Sequence, residues 1–171
     1  MTSIAAPVRD LAERVAAVRR TGASVIVVLS ARGSEATRLL DLTLGVGATG
    51  PAREIDQLLA TGECASAALL AMALHAIGVP TVALTGDQAG VLAAGKPGAG
   101  AVTSVSSHRV GRLLSEGYVV VTGSHGVNAE GDIVALGRAG SAAFATVWGP
   151  AVRIVDASVD DVVTPGGARC W

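Results

Sequence analysis

The stretch GRAGSAAFA, residues 137–145, has the composition of a loop that presents backbone N–H groups to an anion. The glycines beside Arg138 lead into small helix-forming residues, and the unpaired N–H groups at a helix start attract negative charge. We therefore predict that Gly137, Arg138 and Ser141 bind an anionic ligand. A loop that handles phosphate normally carries a carboxylate or further hydroxyl groups beside its glycines, whereas Ala142 follows here.

Two further ionisable side chains could support acid–base chemistry. Asp87 follows the apolar run that ends in Thr85 and Gly86, and His125 lies two residues after Gly123. A histidine with a near-neutral pKa beside a carboxylate can donate or accept a proton during a reaction. The alternative is that both side chains are solvated loop residues.

Composition excludes several classes of function. A net charge of −1 gives no electrostatic attraction to nucleic acid or to an anionic membrane. No uninterrupted apolar run reaches the ~18 residues that span a bilayer, and the first residues do not resemble a secretion signal, so we predict a cytoplasmic protein. The two cysteines and three histidines lack metal-ligand spacing, which predicts no metal site. Cys64 is expected to be a small core side chain.

The spacing of apolar residues predicts an alternation of strands and helices. Continuous apolar runs predict strands over 23–30, 79–86, 118–123 and 152–158. Helical spacing predicts helices over 8–22, 34–47, 51–78, 106–117 and 141–149. The helical pattern of 51–78 lies on either side of Thr61 and Gly62. The sequence predicts a glycine-rich loop region over 87–101, which is long enough to contain a short hairpin, and a long loop over 124–140. Strands that are apolar on both faces belong to parallel sheets covered by helices. The sequence therefore predicts one α/β domain over 1–171, an αβα sandwich around a mostly parallel sheet.

This fold class predicts where a ligand binds. In open parallel sheets, ligands lie beyond the carboxyl ends of the strands. Ser30, Thr85–Gly86 and Thr122–Gly123 all end predicted strands with small polar residues or glycine. We expect them to share one edge of the sheet and to form one site.

Five stretches together resemble the aspartate kinases of the amino acid kinase superfamily. VVLSARG, the run REIDQLLATGECASAALLAMALHAIGV, LTGDQAG, EGYVVVTGSHGVNAEGDIVALGRAGS and VDDVVT occur in that family's order and spacing. The similarity covers roughly residues 23–164. It implies an amino acid kinase fold. It also implies that Glu63 contacts the amino group of an amino acid substrate, that Arg138 holds its carboxylate, and that Ser30 belongs to the same site.

Departures from the family pattern concern the phosphate half of the site. The family's KFGGTS lysine loop has no counterpart before the first strand, and the single lysine of this chain is Lys96. The aspartate of the family's GRGGSD falls on Ala142, and the first aspartate of TDVDG falls on Ser158. We therefore expect a domain truncated at both ends relative to the family, with weak or absent ATP–Mg binding and no cofactor. The alternative is that Arg32 or Lys96 takes the place of the family's lysine.

Two departures add ionisable groups, since the family's tryptophan is replaced by Asp87 and its glutamine by His125. These changes favour a protein that binds or transforms a small carboxylate-bearing or amino-acid-like metabolite without ATP, with Glu63 and His125 as acid and base and Asp87 orienting them. A non-catalytic pseudokinase subunit, or a working kinase with an unusual phosphate site, are the alternatives. Only 16% of residues are charged, which favours a homodimer or higher oligomer.

Overall fold

A computed structural model describes residues 5–30, 34–47, 50–158 and 169–170. The helices are α1 (Ala5–Arg20), α2 (Ser34–Gly45), α3 (Ala52–Ala76), α4 (His108–Ser115) and α5 (Arg138–Trp148), followed by a single 3-10 turn at Gly149–Ala151. The strands are β1 (Ser24–Ser30), β2 (Thr81–Leu84), β3 (Val91–Ala94), β4 (Ala101–Val105), β5 (Val119–Gly123), β6 (His125–Val127), β7 (Ile133–Ala135), β8 (Val152–Ser158) and β9 (Arg169–Cys170).

The larger sheet has the strand order β2-β5-β1-β8-β9. Its first four strands are parallel, and β9 is antiparallel to β8. Alternate residues of β1 and β5 face two separate apolar clusters, one shared with α1 and α3 and the other with α4 and α5. Because both faces of the central strands are covered, these strands are apolar at nearly every position. The predicted αβα sandwich with a mostly parallel sheet is confirmed.

A second sheet with the order β4-β3-β6-β7 was not anticipated. The predicted long loop over 124–140 is wrong, because β6 and β7 form an antiparallel pair within it. In the glycine-rich region, β3 and β4 form an antiparallel hairpin. The strand β3 also pairs in parallel with β6, where Leu92 lies beside Val127. These strands are three to five residues long, too short to show a clear alternation in the sequence.

The helix α3 continues without a break through Thr61 and Gly62. The glycine fits there because α2 crosses α3 closely, and a Cβ at Gly62 would lie 2.8 Å from the Cδ1 atom of Leu39. Among the described residues, α3 is the one helix long and apolar enough to cross a membrane. Its buried face packs against the sheet and α1, as in the core helix of a globular domain.

Candidate functional site

Glu63 and His125 form a buried pair at the carboxyl edge of the larger sheet. Glu63 lies in α3, and His125 begins β6, two residues after β5 ends. The Nδ1 atom of His125 lies 2.7 Å from the Oε2 atom of Glu63, and their side chains are 1% and 3% exposed, respectively. A hydrogen bond to an ionised carboxylate inside a protein is stronger than one in water. The structure therefore brings together the two residues that the sequence assigned to acid–base chemistry.

Two glycines hold the His125 ring in place. A Cβ at Gly123 would lie 2.6 Å from the Cε1 atom of the ring, and one at Gly86 would lie 3.0 Å from its Cδ2 atom. The backbone N–H of Gly86 also donates a hydrogen bond of 3.0 Å to Nε2. Glycine is therefore needed at the end of β5 and in the turn after β2, because the imidazole lies directly against both backbones.

Neighbouring groups raise the pKa of His125. Burial lowers it, but hydrogen bonds to Cys64 and Glu63, together with their charges, raise the pKa from 6.5 to about 9. The Gly86 N–H acts in the opposite direction, because it can donate to Nε2 only when that nitrogen carries no proton. We therefore expect His125 to keep a proton on Nδ1, towards Glu63, and to titrate above 6.5 and no higher than about 9.

This titration predicts that the folded state loses stability as the pH rises. A group that binds its proton more tightly when folded stabilises the fold fully below its unfolded pKa and loses that contribution as the pH passes its folded pKa. The free energy of unfolding should therefore fall between pH 6.5 and about 9. Urea unfolding at a series of pH values measures this change.

His125→Gln should remove most of this pH dependence, because glutamine does not titrate. His108→Gln is the matched control, since His108 is exposed at the start of α4, and it should retain the dependence of the parent chain. A parent chain whose stability is flat over this range would contradict the raised pKa.

Ser30 lies at the end of β1, beside this pair. Leu29 pairs with Gly123, so the last residue of β1 adjoins the strand end against which His125 lies. Ser30 is 1% exposed, and within the described part of the chain its hydroxyl has no hydrogen-bond partner. A buried polar group without a partner is rare in folded proteins and indicates a group that a ligand or water can satisfy.

The first turn of α5 covers the same edge. Gly137 has φ 52°, a conformation that favours glycine, and its carbonyl accepts a hydrogen bond from the Ser124 hydroxyl just after β5. The Ser141 hydroxyl donates to the Asp156 carboxylate in β8 over 3.1 Å. The helix therefore starts over the ends of β5 and β8. Arg138 is its first residue, and the Arg138 side chain lies outside the described part of the structure.

The contact predicted between Asp87 and the Glu63–His125 pair is not found among the described residues. The Asp87 side chain is exposed and accepts a hydrogen bond from the Thr85 hydroxyl within the same turn. Among the described residues, the carboxylate that contacts His125 is Glu63. The position of the ring is therefore set by Glu63 and by the backbone of Gly86.

Sequence reasoning missed two contributors to this region. Cys64 is half-buried and contributes to the raised pKa of His125, and its position next to Glu63 was the available signal. Asp56 is buried in α3, where its Oδ2 atom accepts N–H groups from Gly98 at 2.8 Å and Ala135 at 3.0 Å. Asp56 thus ties the second sheet to α3, and no sequence pattern marked it.

Comparison with known proteins gives one consistent family. The model of the "Amino acid kinase family" matches residues 2–156. The aspartokinase of Corynebacterium efficiens is 41% identical over 163 residues, covering 92% of this chain and 39% of that protein. The aspartokinase of Mycobacterium tuberculosis is 39% identical over 161 residues, covering 91% and 38%. The chain thus spans about 39% of the length of such relatives.

Solved structures agree with this assignment. The aspartate kinase of Synechocystis superposes with a TM-score of 0.65 at 30% identity, over 87% of this chain and 25% of that one. E. coli aspartokinase III in complex with aspartate and ADP superposes with a TM-score of 0.55 over 92% and 40% of the two chains. The identity in that second case is 17%, which supports the fold alone.

Proposed function

We propose that this chain, which belongs to the amino acid kinase family, binds a small carboxylate-bearing metabolite at the carboxyl edge of its parallel sheet. We further propose that it does not transfer phosphate from ATP. The buried hydroxyl of Ser30, which has no hydrogen-bond partner among the described residues, carries this proposal. It lies at the edge where parallel sheets bind ligands, next to the Glu63–His125 pair.

The first turn of α5 supports an anionic ligand. The N–H groups of a helix start carry partial positive charge, and Gly137 and Arg138 bring this turn over the strand ends. A guanidinium can hold a carboxylate through two parallel hydrogen bonds, which is the proposed role of Arg138. Ser141 is proposed to line the same site and is oriented by its bond to Asp156.

The polar groups at this edge argue against phosphoryl transfer. That reaction depends on positive charge and metal-binding carboxylates around the transferred group. Ala142 occupies the position of the family's aspartate, and Phe144, two residues further along α5, is fully buried. Lys96 is exposed in the turn after β3, where it lines a cleft with Asn128 and Asp132 on the second sheet. We therefore expect neither ATP–Mg nor another cofactor to bind tightly.

If the ligand is transformed as well as bound, Glu63 and His125 are the proposed acid–base pair. Their contact of 2.7 Å pairs an imidazole with a carboxylate, the combination of groups that general acid–base catalysis uses. Asp87 is exposed in the neighbouring turn and accepts a hydrogen bond from Thr85, so we propose no part for it in this pair. A cytoplasmic location remains part of the proposal.

Calorimetric titration tests the proposed function. We expect no heat from ATP–Mg, and saturable binding of a dicarboxylate such as succinate. Arg138→Ala should weaken that binding about tenfold or more, the loss of one charge-assisted contact. Arg109→Ala is the matched control, because Arg109 is exposed in α4, and it should bind as the parent chain does. Micromolar binding of ATP–Mg would contradict the proposal and favour a working kinase.

A non-catalytic subunit is the second candidate function. Large apolar side chains are exposed on α2 and α3, among them Leu42 at 53%, Leu44 at 67% and Met72 at 62%. Such surface on a charge-poor protein favours association with another chain. Light scattering separates the cases, since a stable homo-oligomer favours the binding protein or enzyme, and a monomer that exposes this face favours a subunit of a larger assembly.

A further inference from the structure

Glu63 is the buried anion of the candidate site. Two carboxylate side chains are buried among the described residues, those of Asp56 and Glu63. Asp56 accepts hydrogen bonds from the backbone N–H groups of Gly98 and Ala135, so it is a structural acceptor. Glu63 lies at the carboxyl edge, and a ligand ammonium group bound there would pair with its carboxylate.

His125 already engages one oxygen of the carboxylate with which such an ammonium group would pair. Its Nδ1 atom lies 2.7 Å from Glu63 Oε2, which is the distance of a strong charge-assisted hydrogen bond. The ring cannot leave easily, because it lies against the backbones of Gly86 and Gly123, and the Gly86 N–H donates to Nε2. Glu63 is therefore paired inside the protein before any ligand arrives.

This pairing holds in both protonation states of the imidazole. In the neutral ring, the proton on Nδ1 points at Glu63 and is accepted by its Oε2 atom. In the protonated ring, the same contact remains and a positive charge is added beside it. A ligand ammonium group would then compete with the imidazole for the Glu63 carboxylate in the first case and meet a like charge in the second.

We infer that this site takes a small carboxylate without an ammonium group, such as a C4 dicarboxylate, and that His125 is the residue that excludes amino acids. The inference rests on the proposed function, because it specifies the ligand of the same site. The carboxylate would be held by the Ser30 hydroxyl and the start of α5. The aspartate kinase pattern has a neutral glutamine at the position of His125. Replacing His125 with glutamine therefore tests the inference.

Succinate and aspartate test this inference, because they share a carbon skeleton and two carboxylates and differ by the ammonium group. Calorimetric titration of the parent chain should show succinate binding about tenfold or more tightly than aspartate, since a charge-assisted contact is lost. In His125→Gln the ratio of succinate affinity to aspartate affinity should fall by about tenfold, or aspartate should bind more tightly, because an amide is uncharged and can turn away from Glu63. His108→Gln, at the exposed start of α4, should keep the parent preference.

The outcomes separate this inference from the proposed function. Aspartate binding as tightly as succinate to the parent chain would overturn the exclusion of amino acids and leave the carboxylate site in place. An unchanged preference in folded His125→Gln would overturn the role of His125. Binding of neither compound would overturn both the inference and the proposed function. The comparison on the parent chain does not depend on whether the variant folds.

Discussion

Replacing Glu63 with alanine is expected to lower the free energy of unfolding by about 3–5 kcal/mol, because it removes one partner of a buried charged pair. His125 is 1% exposed, so its Nδ1–H would be left without an acceptor where water cannot reach it. The midpoint of urea unfolding, followed by circular dichroism at pH 7, measures the loss.

Two further variants make this result specific to the pair. Glu63→Gln keeps an oxygen that can accept the Nδ1 proton, so it should lose less stability than Glu63→Ala. Glu130→Ala removes a carboxylate from an exposed position in the turn before β7, and it should change stability by no more than about 0.5 kcal/mol. A loss below about 1 kcal/mol in Glu63→Ala would mean that the pair does not stabilise the fold.

Gly86→Ala is expected to destabilise the protein by about 3 kcal/mol or more, through overlap of atoms that cannot move apart cheaply. The new methyl group would overlap the carbonyl oxygen of His125 and come within 2.7 Å of its carbonyl carbon, and both are backbone atoms of β6. Moving the turn to relieve this overlap would break the hydrogen bond from the Gly86 N–H to Nε2. Thermal unfolding should show the midpoint lowered by roughly 10 °C.

Gly45→Ala is the matched control for this substitution. A Cβ at Gly45, the last residue of α2, would meet nothing within 4 Å. Alanine is the better helix former, so this variant should be unchanged or more stable by about 0.5–1 kcal/mol. Equal unfolding midpoints for Gly86→Ala and Gly45→Ala would show that the turn does not lie against His125 as described.

The sequence by itself determined the fold class and the edge of the sheet at which the candidate site lies. The strands β1 and β5 are apolar at consecutive positions, and this pattern results directly from burial on both faces of a sheet. Because parallel strands place their carboxyl ends on one edge, the pattern of strands was enough to assign Ser30 and Gly123 to the same site. The resemblance marked Glu63 and Arg138 in addition.

The tertiary structure decided which of these residues meet. Glu63 and His125 are 62 positions apart, and their contact depends on how α3 crosses the end of β5, which no local pattern encodes. Asp87 is only one residue from Gly86, whose backbone contacts the ring, yet its own side chain turns to Thr85. Spacing in the sequence gave no reason to choose between the two acids as the partner of His125.

The second sheet was also settled only in three dimensions. Its strands β6 and β7 have three residues each. They are stabilised by pairing with each other, by the pairing of β6 with β3 and by the contact of Asp56 with Ala135 in β7, rather than by local preference. Apolar periodicity is read over longer windows than these strands offer. Local sequence thus determined the long elements and the edge of the candidate site, while packing between distant segments determined that Glu63 is the partner of His125.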